Sequence, residues 1–137
     1  MKRTYHGSCH CKAVTFEVDL DLASGTGKCN CTFCRKQRMW KAAPVKPDAF
    51  RLLTGKDTLV DYGSSGDGGE QQHHFCKICG IATHNDGSLP MLGGKFVMVH
   101  VAALDDLSPR ELLAAPMRCA DGLNDAWENE PEEVRHL

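Results

Sequence analysis

Alternating apolar and polar residues predict the strands of a mostly β protein. In segment 13–19, Val14, Phe16 and Val18 fall on one face, which is typical of a half-buried strand. A second clear alternation runs over 96–101, with Val97, Val99 and Val101 sharing a face. Shorter runs predict further strands at 39–45, 50–54, 58–62, 71–75 and 81–84.

Two segments favour short helices. Segment 32–38 has no helix breaker and can form two turns. Ser108 is a predicted N-cap, with Pro109 in the first helical position and Glu111 completing a capping box, and this helix ends before Pro116. The glycine- and serine-rich segment 63–69 predicts a mobile loop. Several short strands with two short helices exclude a doubly wound sheet.

Length and composition predict one domain of an ordinary globular class. The chain has 137 residues, of which 42% are hydrophobic. It has no apolar run of about 18 residues and no apolar core of a signal peptide, so we expect no membrane span and a cytoplasmic location. Cysteines stay reduced there, which favours metal binding over disulfides. The net charge of −2 makes nucleic acid an unlikely partner, and the sequence does not indicate an oligomeric state.

The cysteines are the strongest chemical signal in the chain. Thiolates a few residues apart are typical ligands of tetrahedral zinc. The eighth cysteine, Cys119, stands alone and is expected to be a small buried side chain. The other seven form three tight groups: Cys9 and Cys11, then Cys29, Cys31 and Cys34, then Cys76 and Cys79.

The simplest partition of these groups predicts two zinc sites. The two outer pairs would hold one structural zinc, and the central group of three would hold a second. Closing the long loop from Cys11 to Cys76 costs only about 1.3 kcal/mol more than closing a finger-sized loop. A structural zinc contributes about 10 kcal/mol or more. The alternative, in which two central cysteines join an outer pair, stays open at this point.

The fourth position of the second zinc decides its chemistry. A histidine could fill it and make the site inert, and His10, His73, His74 and His84 all lie near cysteine pairs. If the position is open, the zinc and its three thiolates together carry one negative charge. Such a zinc acidifies water poorly but can hold a soft thiol as thiolate, and we expect it to be the more labile of the two.

A basic group follows the central cysteines. Arg35, Lys36 and Arg38, with Lys41 after them, could attract an anionic substrate, and the first three are predicted to hold a substrate carboxylate. Solvated surface is the simpler interpretation of this group, and also of the acidic residues that crowd the C-terminus.

The cysteine motifs resemble those of the glutathione-dependent formaldehyde-activating enzyme family, the domain shared with centromere protein V. The resemblance covers segment 7 to about 106, and it rests on three stretches: Gly7-Ser8-Cys9-His10-Cys11, Cys29-Asn30-Cys31-Thr32-Phe33-Cys34-Arg35, and Phe75-Cys76-Lys77-Ile78-Cys79-Gly80. It implies an Mss4-like fold of several small coiled antiparallel sheets with short helices. It also implies a structural zinc on Cys9, Cys11, Cys76 and Cys79 and a catalytic zinc on Cys29, Cys31 and Cys34.

The resemblance further implies a carbon–sulfur lyase that adds glutathione to formaldehyde, giving S-hydroxymethylglutathione. The chain departs from the family pattern at Lys12, where members usually have glycine.

We expect a single domain over 1–137, with a zinc-binding core at about 7–106 and a C-terminal helix and acidic tail at 107–137. The alternatives are a non-catalytic, zinc-stapled module that binds a protein or a nucleic acid, and a thiol redox or metal-storage protein.

Overall fold

The computed structural model describes residues 1–66 and 69–137, and it is mostly β as predicted. Strands form three small sheets, connected by two α-helices and by four single turns of 3-10 helix at Leu22–Ser24, Pro47–Ala49, Pro90–Leu92 and Val101–Ala103. The helices are α1 (Thr32–Gln37) and α2 (Pro109–Ala114). The strands are β1 (Arg3–Ser8), β2 (Thr15–Leu20), β3 (Thr26–Cys29), β4 (Lys41–Ala42), β5 (Phe50–Thr54), β6 (Leu59–Gly66), β7 (Gly69–Cys76), β8 (Ala82–Leu89), β9 (Gly94–Val99) and β10 (Met117–Ala120).

The first sheet has the antiparallel order β1-β2-β5. The alternation predicted for β2 is confirmed, since Phe16, Val18 and Leu20 are buried. Strand β1 was not predicted because Tyr5 is its only large apolar residue, so no alternation is visible there. These side chains form the main core with residues of β4, β9 and the Val101–Ala103 turn.

The second sheet has the order β10-β3-β4, and its β10–β3 pair is parallel. The strand predicted at 39–45 is too long. Only Lys41 and Ala42 pair with β3, and Pro44 follows with no N–H to donate to a ladder. Strand β10 was not predicted, because four residues of mixed polarity carry no periodic signal.

The third sheet is the antiparallel meander β6-β7-β8-β9. The loop predicted at 63–69 is wrong where the structure describes it: β6 continues to Gly66, and β7 begins at Gly69. Residues 67 and 68 of that prediction lie outside the described residues. A Cβ on Gly63 would overlap the backbone of β7 at Gln71. The absence of a side chain at Gly63 therefore permits close strand pairing.

Both helices form where the local sequence predicts them. Cys31 is the N-cap of α1, and its sulfur accepts a hydrogen bond from the Cys34 N–H. The capping box of Ser108 and Glu111 is present in α2. None of the described helices is long and apolar enough to cross a membrane.

Glu111 also ties α2 to β1, and its charge gives the first prediction. The Ser108 N–H, the Tyr5 hydroxyl and the Arg3 guanidinium lower the pKa of Glu111 from 4.5 to about 2. A depressed pKa stabilises the fold above pH 4.5, and that stabilisation is lost as the pH falls towards 2. We expect Glu111→Gln, which keeps the cap, to lower the thermal midpoint at pH 7, where the Glu111 carboxylate is charged.

The control for this variant is Glu128→Gln, which changes an exposed residue of the C-terminal segment. Its thermal midpoint at pH 7 should match that of the unmodified protein. A midpoint of Glu111→Gln equal to that of Glu128→Gln would show that the charge of Glu111 does not stabilise the fold.

Candidate functional site

Four cysteine sulfurs converge at one end of the first and third sheets. Their Sγ atoms all lie within 4.8 Å of one another. Two of the Sγ–Sγ distances are 3.6 Å, for Cys9 and Cys11, and 3.7 Å, for Cys11 and Cys76. A zinc tetrahedron with Zn–S bonds of about 2.3 Å has edges of about 3.8 Å, whereas a disulfide needs about 2.05 Å. This four-cysteine cluster (Cys9, Cys11, Cys76 and Cys79) therefore fits a zinc ion.

Backbone amides around the four-cysteine cluster favour thiolates. The Cys79 and Ile78 N–H groups lower the pKa of Cys76, and those of Cys11 and Ile81 lower the pKa of Cys79 to about 6. The cysteines come from the β1–β2 turn and the β7–β8 turn, where Gly80 has a φ of +77°. Cys9 and Cys76 are fully buried against Val14. A metal here would join two sheets through a small apolar cluster.

The three-cysteine cluster (Cys29, Cys31 and Cys34) lies where β3 meets α1. Cys29 ends β3, Cys31 caps α1, and Cys34 is buried in its first turn. Their Sγ atoms lie within 4.8 Å of one another. The Cys31 N–H donates to Cys29 Sγ at 3.3 Å, and the Cys34 N–H donates to Cys31 Sγ at 3.4 Å. Three sulfurs supported by amide donors can hold a metal ion.

The pKa values of two thiols of this cluster are shifted in opposite directions. The hydrogen bond from Cys34, with the N–H groups of Cys31 and Gly122, lowers the pKa of Cys29 to about 5. The same hydrogen bond, together with burial, raises the pKa of Cys34. The lowered pKa of Cys29 favours its thiolate, which is the form that binds a metal ion.

Of the four histidines considered as a fourth ligand, His73 lines a cavity beside the three-cysteine cluster, and the other three lie elsewhere. Within residues 1–66 and 69–137, no histidine joins the three sulfurs in one metal-sized group. His10 is exposed and lines a separate cavity. His74 and His84 stack on each other and group with Asp86 instead. Both ring nitrogens of His74 have carboxylate partners, since Asp61 lies 2.6 Å from Nδ1 and Asp86 lies 2.9 Å from Nε2.

The three-cysteine cluster forms one wall of a cavity of about 460 Å³, here called the metal-side cavity. His73 lines it and packs on Phe33, with ring centroids 4.2 Å apart. Burial, together with the charges of Lys41 and His74, lowers the pKa of His73 to about 4. The remaining lining is mainly apolar: Phe33, Tyr62, Leu89, Met91, Leu92, Met98 and Trp127, with Lys41, Gly63 and Gln71.

A second cavity, of about 420 Å³, shares a wall with the first. The shared wall is formed by Cys29, Lys41 and Met98. Two cations, Lys28 and Arg118, are among the lining residues of this β3–β10 cavity. Lys41 is therefore placed between the two cavities and beside the sulfurs.

The three cations predicted to bind a substrate carboxylate do not line either cavity. Arg35 lines a separate cavity near the C-terminus, Arg38 lies near the four-cysteine cluster, and Lys36 is exposed on α1. Their contact with substrate stays a prediction. Lys41 belongs to the same basic group, and its ammonium forms no ion pair with a described carboxylate.

The acidic C-terminal segment contributes to the site, which the sequence analysis missed. A Cβ on Gly122 would come within 2.6 Å of Cys29 Sγ and of the Trp127 ring. The Trp127 indole also lines the metal-side cavity. Trp127, an isolated tryptophan in this acidic segment, is the sequence feature that could have indicated its contribution to the site. Cys119, by contrast, is buried as predicted.

Comparison with known proteins agrees with this architecture. The chain is similar to a protein from Rhodobacter sphaeroides of known crystal structure, with a TM-score of 0.66 and 32% sequence identity, over 82% of this chain and 98% of that chain. A family model described as "Glutathione-dependent formaldehyde-activating enzyme" matches residues 4–119. The chain therefore belongs to the glutathione-dependent formaldehyde-activating enzyme family.

Proposed function

We propose that this protein is a zinc-dependent carbon–sulfur lyase that acts on a thiol–aldehyde adduct. The family description points to glutathione and formaldehyde as the substrates. The observation that carries the proposal is the three-cysteine cluster, which has no fourth protein ligand among the described residues and forms the wall of an open cavity. A cytoplasmic location, where thiols stay reduced, fits this function.

The two cysteine clusters have different roles in this proposal. Cys9, Cys11, Cys76 and Cys79 would hold a structural zinc, because four sulfurs complete a tetrahedron. Cys29, Cys31 and Cys34 would hold a second zinc, which supplies a position where a substrate thiol is held as thiolate.

Two side chains of the metal-side cavity would assist the substrates. The Lys41 ammonium has no carboxylate partner in the described chain, so it can pair with a carboxylate of an anionic thiol. His73 is neutral near pH 7, and its Nδ1 is buried without a hydrogen-bond partner. Its Nε2 atom is therefore the nitrogen we assign to proton transfer, taking the thiol proton and returning it to the oxygen formed from the carbonyl.

The reaction balances without an oxidant or a reductant. The S–H bond breaks, a bond forms between sulfur and the carbonyl carbon, and the C=O π pair moves to oxygen. The proton removed from sulfur ends on that oxygen. The reverse sequence releases the thiol and the aldehyde.

Exchange spectroscopy can test the activity, because the adduct also forms without a catalyst. We expect zinc-loaded protein to speed the exchange of ¹³C-formaldehyde between its free and thiol-bound forms. Protein treated with a chelator is the control, since the second zinc should be lost first. Equal exchange rates with zinc-loaded protein and with buffer would reject the proposed activity.

Lys41→Met tests which cation binds the thiol. We expect KM for glutathione to rise about tenfold, because a charge-assisted hydrogen bond contributes about 1.5–3 kcal/mol. The matched control is Lys36→Met, which removes an exposed cation that lines neither cavity. A larger rise of KM for Lys36→Met than for Lys41→Met would instead support the cations of α1.

A further inference from the structure

The mouth of the metal-side cavity is apolar and exposed. Tyr62 of β6, Met91 of the Pro90–Leu92 turn and Trp127 of the C-terminal segment all line it, although they are distant in sequence. Their exposed fractions are 62%, 77% and 45%. Large apolar side chains from three separate segments that meet around one opening indicate a surface that receives an apolar ligand.

Formaldehyde does not account for this cavity. A volume of about 460 Å³ lies within the range of about 300–1,000 Å³ that is typical of sites for much larger ligands. An aldehyde with two non-hydrogen atoms would leave the apolar walls, including Phe33 and Leu92, without contact. The cavity therefore has room for a substituent on the carbonyl carbon.

The body of glutathione does not account for the cavity either. Glutathione carries two carboxylates and an ammonium group, whereas Lys41 is the single cationic side chain that lines this cavity in the described chain. Burying the other charges there without partners would be unfavourable. The β3–β10 cavity suits a polar thiol better, because Lys28 and Arg118 line it next to Lys41.

We propose that the metal-side cavity is the binding site for an aldehyde with an alkyl or aryl substituent, whose carbonyl carbon receives the thiol beside the three-cysteine cluster. This inference rests on the proposed function and names its substrate class. The substituent packs between Phe33, Leu92 and Met91, and the thiol extends towards the β3–β10 cavity across Lys41. The bonds that form and break are those of the addition described above.

Binding can be measured apart from activity. 1-Hexanol has the shape of hexanal but cannot add a thiol. In zinc-loaded, ¹⁵N-labelled protein we expect 1-hexanol to shift the indole N–H signal of Trp127, which Trp127→Phe identifies by its loss. The signal of Trp40, which lines neither cavity, should stay in place. A Trp127 signal that does not respond to 1-hexanol would overturn the proposal.

Kinetics give the second readout. With glutathione as the thiol, we expect kcat/KM for hexanal to exceed that for formaldehyde at least tenfold. Met91→Ser should lower this ratio about fivefold, less than the roughly 10–200-fold that a methylene contributes in a hydrophobic pocket, because Met91 is 77% exposed. The matched control is Leu113→Ser on α2, which changes another highly exposed apolar residue outside the cavity and should leave the ratio unchanged.

The outcomes separate this inference from the proposed function. A preference for formaldehyde, or an equal effect of Met91→Ser on both aldehydes, rejects the apolar substrate and leaves the lyase activity standing. No catalysed reaction with any aldehyde rejects the lyase activity, and this inference falls with it. Thermal midpoints of the variants equal to that of the unmodified protein exclude misfolding as the cause.

Discussion

Cys76→Ser is expected to destabilise the fold of this protein severely. Cys76 is fully buried, and its sulfur lies 3.7 Å from that of Cys11. A hydroxyl is a poor substitute for a soft thiolate ligand. The coupling of zinc to folding is about 10 kcal/mol or more, which is comparable to the whole stability of a typical domain, about 5–15 kcal/mol. We expect the thermal midpoint to fall by more than about 20 °C, with one zinc lost per chain.

Cys119→Ser is the matched control for this change. Cys119 is also buried but lies outside both clusters. Its substitution buries one hydroxyl in place of a thiol, which costs about 1–3 kcal/mol. The midpoint should therefore fall by only a few degrees, and the zinc content should stay the same. A Cys76→Ser protein with unchanged zinc content and midpoint would contradict the structural role of the four-cysteine cluster.

Cys31→Ser is expected to abolish catalysis while the fold remains intact. Cys31 is both a predicted metal ligand and the N-cap of α1, where its sulfur accepts a hydrogen bond from the Cys34 N–H. Serine is among the best N-cap residues, so the helix keeps its cap. Loss of residues that only support metal ligands costs about 10–100-fold in activity. Because Cys31 is itself a predicted ligand, we expect Cys31→Ser to lower turnover at least about 100-fold and to lose the second zinc.

Two controls separate these roles. Thr32→Ser changes the neighbouring exposed residue and should leave turnover and zinc content unchanged. Cys31→Ala removes both ligand and cap, so its thermal midpoint should fall below that of Cys31→Ser by an amount that corresponds to about 1 kcal/mol. Turnover by Cys31→Ser at the rate of the unmodified protein would rule out metal chemistry at the three-cysteine cluster.

The parts of the fold that were predicted well depend on neighbours in the chain. The alternation of β2 and the capping box of α2 each involve residues a few positions apart. Strand β10 was missed because its pairing with β3 joins segments about 90 residues apart, which leaves no local pattern. The β6–β7 hairpin was missed for a different reason. Its glycines and serines are typical of loops, although Gly63 pairs with Gln72 only nine residues away.

The candidate site divides in the same way. The sequence was enough to predict the types of ligand, their grouping and the chemistry of sulfur with zinc. This is because a turn of a few residues can bring two or three thiols together. The tertiary structure alone distinguished Lys41 from its basic neighbours and brought Tyr62, Met91 and Trp127 to one opening. Cavity walls form when separate strands and turns pack together, and that packing depends on long-range contacts which no single stretch of the chain encodes.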